Sequence, residues 1–149
     1  MLLDASWQRQ ENTIGKPLGR ETRRKYMCKV LMSINPEHVN NILSGTKRFE
    51  FRKNRCKEKV DAIIIYSTSP IMQVVGEVEV KGVIVDEPQA VWMKTQVAAG
   101  IDKGFFDRYY CGRSRAVAYI LGEVTIFSTP KHLEDYGVKS APQSYVYIR

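Results

Sequence analysis

The chain has 149 residues, 44% of them hydrophobic, and a formal net charge of +7. That length suits one domain with a real core, and that apolar content excludes wholesale disorder. No apolar run approaches the roughly 20 residues that a membrane-spanning helix needs.

The charge is concentrated rather than spread. Residues 47–59 carry seven basic side chains (Lys47, Arg48, Arg52, Lys53, Arg55, Lys57 and Lys59) against Glu50 and Glu58. Residues 1–26 hold six basic and three acidic side chains, so what remains of the chain is close to neutral. A single basic cluster suits a polyanion such as nucleic acid. The plain alternative is an edge strand whose lysines block edge-to-edge pairing.

Cys28, Cys56 and Cys111 are odd in number and widely spaced, with only His38 and His132 beside them. They form neither a disulfide framework nor a metal-ligand pattern. The expectation is a chain with no metal and no cofactor, in the reducing cytoplasm. No Gly-x-Ser-x-Gly elbow, Gly-x-x-x-x-Gly-Lys-Ser/Thr loop or His-Glu-x-x-His helix occurs.

In chain order, residues 1–26 are polar and without periodicity, and they read as a flexible N-terminal extension. They contain no apolar stretch of the roughly 7–15 residues a secretory signal needs, and Met27 is an alternative start. The folded domain is expected over residues 27–149. Residues 29–34 read as a short strand. Asn35-Pro36-Glu37 then gives a cap, a proline at the first helical position and an acid in the first turn. Val39, Ile42 and Leu43 form one apolar stripe, and Gly45 is placed for a left-handed stop. A helix over 36–44 follows, leading into a strand over 47–53.

In that strand, alternation puts Phe49 and Phe51 on one face with Lys47 and Lys53, and Arg48, Glu50 and Arg52 on the other. One carboxylate would then lie between two guanidinium groups. Such a ladder is either an exposed ion-pair row worth about 0–1 kcal/mol or part of a site.

Residues 60–66 read as a buried strand ended by Ser67-Thr68-Ser69-Pro70. Residues 72–85 form a long strand with Gly76 and Gly82, where a bulge or bend is expected. Pro88 opens a helix to about Ala98, and Asp102 caps a second helix ending near Gly112. Strands over 115–127 and 143–149 complete the chain. Long bent strands with helices as insertions argue a small mixed barrel of α+β class. Tyr109 and Tyr110, beside Arg108, Arg113 and Arg115, fit helix packing better than a binding face and are left out of the site.

Gly45-x-Lys47-x-x-Glu50-x-Arg52 directly follows the Asn35-Pro36 helix. Together with the Tyr66-Ser67-Thr68-Ser69-Pro70 loop, the Gly76-Glu77 strand and Ala141-Pro142-Gln143-Ser144, it resembles the ASCH domain family of the PUA-like superfamily. The resemblance covers residues 28–149. It implies a small PUA-like β-pseudobarrel with short peripheral helices, and a cleft that holds RNA or another single-stranded nucleic acid, or a modified nucleobase.

Carried onto this chain, Lys47, Glu50 and Arg52 line the cleft. Glu50 would accept a hydrogen bond from a base amino group, while Lys47 and Arg52 meet phosphate or carbonyl oxygens. Tyr66 would stack on a base, Ser67, Thr68 and Ser69 would offer hydroxyls at the rim, and Arg48, Lys53 and Arg55 would contact the backbone.

The resemblance also implies alternatives. One branch of the superfamily deacylates N4-acylcytidine with a lysine, a threonine and a glutamate. Lys47 matches that lysine, but Glu50 stands where the threonine belongs, so no catalytic residue is assigned. Some ASCH proteins are proposed ribonucleases. A regulatory domain that binds an acidic protein through the same basic surface is the third class.

Overall fold

The computed structural model describes residues 27–149, and the expectation for residues 1–26 lies outside the described residues. Six strands form one sheet: β1 (Lys29–Ile34), β2 (Phe49–Arg52), β3 (Ala62–Ser67), β4 (Gln73–Asp86), β5 (Ala116–Lys131) and β6 (Tyr145–Ile148). Their order is β2-β5-β4-β3-β1-β6, with β1 parallel to β3 and every other pairing antiparallel.

The sheet is a curled half-barrel, and one side chain shows how far it curls. Arg52, on the β2 edge, donates from Nη2 to the carbonyl of Ser33 in β1, at 3.1 Å. Those two strands are four places apart in the sheet order. The segment after β2 spans the remaining gap. Cys56 N donates to Tyr119 Oη at 2.8 Å, Glu58 N donates to Tyr147 Oη at 3.1 Å, and Arg149 pairs with Glu58. The register of β4 against β5 shifts between Val74 and Gly76, between Val78 and Val80, and between Val80 and Gly82, so two of the three irregularities fall at a glycine. A Cβ on Gly76 would stand 2.6 Å from the Thr125 carbonyl oxygen, so only glycine permits that approach.

Among the described residues, three short helices pack against the sheet. Helix α1 (Pro36–Ser44) begins with the Asn35 side chain accepting from Glu37 N and stops at Gly45 with φ 86°. Helix α2 (Pro88–Thr95) passes into a 3-10 turn over Gln96–Ala98, where one continuous helix was expected. Helix α3 (Lys103–Tyr109) is capped by Asp102, whose carboxylate accepts from Phe105 N at 2.7 Å.

Alternation along β5 divides the core. Val117, Tyr119 and Leu121 face the interior of the curl with Val30, Met32 and Ile63. Ala116 and Ala118 face outward, and their small side chains leave room for Phe51, Trp92, Phe106 and Tyr110 beneath α2 and α3. A third cluster, around Leu31, Ile64 and Tyr66, is covered by Phe127, Leu133 and Tyr136. The fold is therefore of α+β class, as the order of elements implies.

Most element boundaries differ from the expectation by a few residues, and two of the differences have a visible cause or consequence. The strand foreseen over 47–53 shrinks to four residues, because Lys47 N still bonds back to Asn41 O at the end of α1. The strand foreseen over 115–127 runs on to Lys131, which reaches Val74. None of the described helices is long and apolar enough to cross a membrane.

Candidate functional site

A cleft of about 160 Å³ opens where the end of β1, the start of α1, strand β2 and helix α3 meet. Its polar floor is built from the Gly45-x-Lys47-x-x-Glu50-x-Arg52 segment. Gly45 ends α1 in the left-handed conformation, and the chain turns so that Arg48 N reaches Ala98 O at 2.9 Å. That turn drives the Lys47 side chain inward, leaving the residue 3% exposed. Its Nζ donates to Ala99 O at 3.0 Å and lies 4.7 Å from the centroid of the Phe51 ring. Burial lowers the Lys47 ammonium's pKa below its ordinary value, with nearby Arg52 acting in the same direction and Glu50 opposing.

Glu50 is buried, and its Oε2 stands 3.1 Å from Arg52 Nε. The pair is one of charge rather than alignment, since that Nε–H finds no hydrogen-bond partner among the described residues. Arg52 spends its other nitrogens on the frame, with Nη2 on Ser33 O and Nη1 3.4 Å from Ser144 Oγ. Ser33 is held in turn, donating from Oγ to Pro142 O at 2.6 Å. The arginine thus ties the site to the loop before β6.

The walls are aromatic. Phe105 and Tyr109, one turn apart on α3, lie with ring centroids 6.4 Å apart and planes 12° from parallel. Phe105 is 39% exposed, so part of its ring is free. His38 of α1 meets Phe105 edge-on at 5.4 Å. Its Nδ1 is buried with no hydrogen-bond partner among the described residues, so one polar atom at the cleft is unspent. Burial, reinforced by the Lys47 charge, lowers the His38 pKa and favours the neutral imidazole. Burial likewise raises the pKa of the Tyr109 hydroxyl.

The site residues foreseen from the sequence separate into three places. Lys47, Glu50 and Arg52 come together in the cleft. Lys53 and Arg55 are exposed and line a neighbouring groove, while the Arg48 side chain is exposed and pairs with no carboxylate among the described residues. The foreseen carboxylate between two guanidiniums is therefore corrected to one ion pair, Glu50–Arg52, because β2 begins only after Arg48. Tyr66 and Ser67 are buried in β3, a central strand flanked by β1 and β4, and Tyr66 belongs to the third core cluster. Tyr66 presents no free ring face, so a stacking role for it is corrected too. Thr68 and Ser69 do not line the cleft. Thr68 N bonds to Ile34 O and so braces the cleft from behind.

Sequence reasoning missed His38, Phe105 and the site position of Tyr109. An aromatic pair four residues apart, with Phe106 facing the core between them, was the available signal. Tyr110, by contrast, is a packing residue whose hydroxyl bonds Arg52 O and Val117 O. Among the described residues no cluster of His, Cys, Asp and Glu is arranged to hold a metal ion.

A sequence profile of the ASCH domain matches residues 32–135. The chain belongs to the ASCH domain family. Among curated relatives of this ASCH domain, the large ribosomal subunit protein uL22 of Ureaplasma parvum is 26% identical over 121 residues, which is 80% of this chain and 39% of that protein. The chain thus spans about two fifths of that relative's length. The ASCH domain-containing ribonuclease of Zymomonas mobilis is 27% identical over 92 residues, 61% of this chain and 62% of that one. The crystal structure of ASCH from Zymomonas mobilis superposes with a TM-score of 0.74 at 24% identity, covering 81% of this chain and 87% of that chain. This last is a likeness of fold.

Proposed function

We propose that this ASCH domain binds single-stranded RNA by taking one unpaired nucleotide, modified or not, into the cleft. The observation that carries the reading is the pairing of a buried Lys47–Glu50–Arg52 floor with a partly free Phe105–Tyr109 wall. Single-stranded RNA is read by stacking on aromatic rings and by hydrogen bonds to base edges. Phe105 supplies the stacking face and Glu50 the acceptor for a base amino group. Lys47 and Arg52 keep the floor positive for carbonyl or phosphate oxygens.

Fluorescence anisotropy with labelled single-stranded RNA tests it. Phe105→Ala removes an exposed ring and is expected to cost about 1–3 kcal/mol of binding, the usual worth of one stacked base. Glu50→Gln is expected to narrow the preference for amino-bearing bases. Affinity unchanged in both variants would sink the reading.

RNA cleavage in the same cleft is the second reading, and His38 is the observation that favours it. A neutral imidazole lining the cleft is the group needed to take a proton from a ribose 2′-hydroxyl. The name of the Zymomonas mobilis relative agrees with that chemistry. Incubation with single-stranded RNA decides it: cleavage products lost in His38→Ala make the domain an enzyme, and intact RNA makes it a binder.

A further inference from the structure

A second depression of about 490 Å³ lies beside the cleft. Its charged lining is entirely basic: Lys53, Arg55, Arg113 and Arg115, with no carboxylate among the lining residues. These four come from two segments far apart in sequence, the exit of β2 and the loop between α3 and β5. Arg113 locks the segments together, donating from Nη2 to Lys53 O at 3.1 Å and to Asn54 Oδ1 at 2.9 Å. Among the described residues the only acid paired with the group is Asp86, 3.7 Å from Arg115, whose side chain remains 65% exposed.

The groove and the cleft adjoin at consecutive residues of the chain. Arg52 lines the cleft and Lys53 lines the groove. The Lys53 ammonium lies 5.0 Å from the centroid of Tyr109, which is itself part of the cleft wall. A chain leaving the cleft past Tyr109 therefore meets Lys53 first and the arginines next. Four like charges gathered on one concave surface repel one another, and a polyanion relieves that repulsion.

We propose that the groove of Lys53, Arg55, Arg113 and Arg115 carries the phosphate backbone of the RNA strand whose nucleotide enters the cleft. The proposal rests on the RNA reading of the cleft and extends it from one nucleotide to a strand with a defined path. Phosphate contacts position a strand without reading its sequence, so this groove supplies affinity and register while the cleft supplies base preference. The groove is open and lined by long exposed side chains, as a passage for backbone rather than for a base requires.

The test compares a labelled single-stranded oligonucleotide with a mononucleotide 5′-phosphate, titrated from about 50 to about 200 mM salt. The variant carries Arg55→Gln and Arg115→Gln, two exposed side chains whose loss leaves the Arg113 lock in place. If each meets one phosphate, the log–log salt slope for the oligonucleotide flattens by about 1.4, at about 0.7 per phosphate. Binding of the mononucleotide should not change.

An unchanged slope in this variant, with Phe105→Ala still weakening binding, overturns the groove and leaves the cleft reading standing. Failure of the wild type to bind any RNA overturns both. A polyglutamate peptide that binds the groove as tightly as the oligonucleotide, and loses affinity equally in the variant, assigns the surface to an acidic protein partner and overturns the proposal.

Discussion

Lys47 and Gly100 occupy adjoining space: a methyl group on the Gly100 Cα would stand 2.5 Å from the Lys47 Cβ and 2.6 Å from its Cγ. These are the root of the lysine side chain, which cannot swing aside as its tip can. Gly100 also has φ 71°, where an L side chain is strained. Gly100→Ala should therefore displace Lys47 from Ala99 O and cost about 2–3 kcal/mol, combining the left-handed penalty with overpacking. Gly112→Ala is the internal comparison, because Gly112 has φ 77° but nothing within 4 Å of its Cβ. Urea denaturation of both variants isolates the contact. Equal losses would mean that Gly100 serves backbone conformation alone.

Arg52 serves the site and the frame together. Its side chain is 14% exposed and that of Glu50 is 8% exposed, so removing one partner strands a buried charge. Arg52→Ala is expected to cost about 3–5 kcal/mol, the range for breaking a buried pair from one side. Replacing Glu50 by Ala in the same molecule should recover part of the loss, because the stranded carboxylate is gone. A double variant as unstable as the sum of the two single ones would show that the frame bonds to Ser33 and Ser144 dominate.

His38 makes stability depend on pH with a definite sign. Burial and the Lys47 charge lower its pKa in the folded protein, so the folded state binds this proton more weakly than the unfolded chain does. Stability from this group is therefore complete above the ordinary imidazole value of 6.5 and is lost as pH falls below it, until the folded imidazole also protonates. Melting curves from about pH 7.5 to about pH 5 should show a decline that His38→Asn reduces. A decline unchanged by the substitution would assign it to other groups.

The described residues close their own core, from the Val30 strand to the Tyr147 hydroxyl that meets Glu58 N. A chain begun at Met27 is therefore expected to fold, with a melting temperature within a few degrees of the full chain. A cooperative loss of folding on that truncation would show that residues 1–26 contribute to the core.

Local chemistry was legible in the sequence and long-range packing was not. Asn35-Pro36 and Gly45 announced α1, Asp102 announced α3, and both caps form as read. The spacing of Lys47, Glu50 and Arg52 foretold the cleft floor because one turn and one short strand place all three. The wall comes from α3, more than fifty residues later, and its approach is fixed by Phe106 packing between Phe51 and Trp92. Nothing near Phe105 or Tyr109 in the sequence records that approach. Tyr66 misled for the reverse reason. It adjoins a polar turn, yet its burial is decided by Phe127, Leu133 and Tyr136, distant residues that cover its side of the sheet.

N4-acetylcytidine is the substrate type implied by the lysine–threonine–glutamate branch of the superfamily. Deacylation requires a group that activates water or attacks the acyl carbon, and a partner that moves its proton. Lys47 is placed for neither: its Nζ donates to Ala99 O and sits against the Phe51 ring. The position three residues on holds Glu50, paired with Arg52, instead of a hydroxyl. No turnover of N4-acetylcytidine is therefore expected, although the nucleoside should compete for the cleft. Lys47→Ala should weaken that competition without changing any product level. Multiple-turnover release of acetate by the wild type, abolished in Lys47→Ala with binding retained, would instead make this domain a nucleoside-processing enzyme.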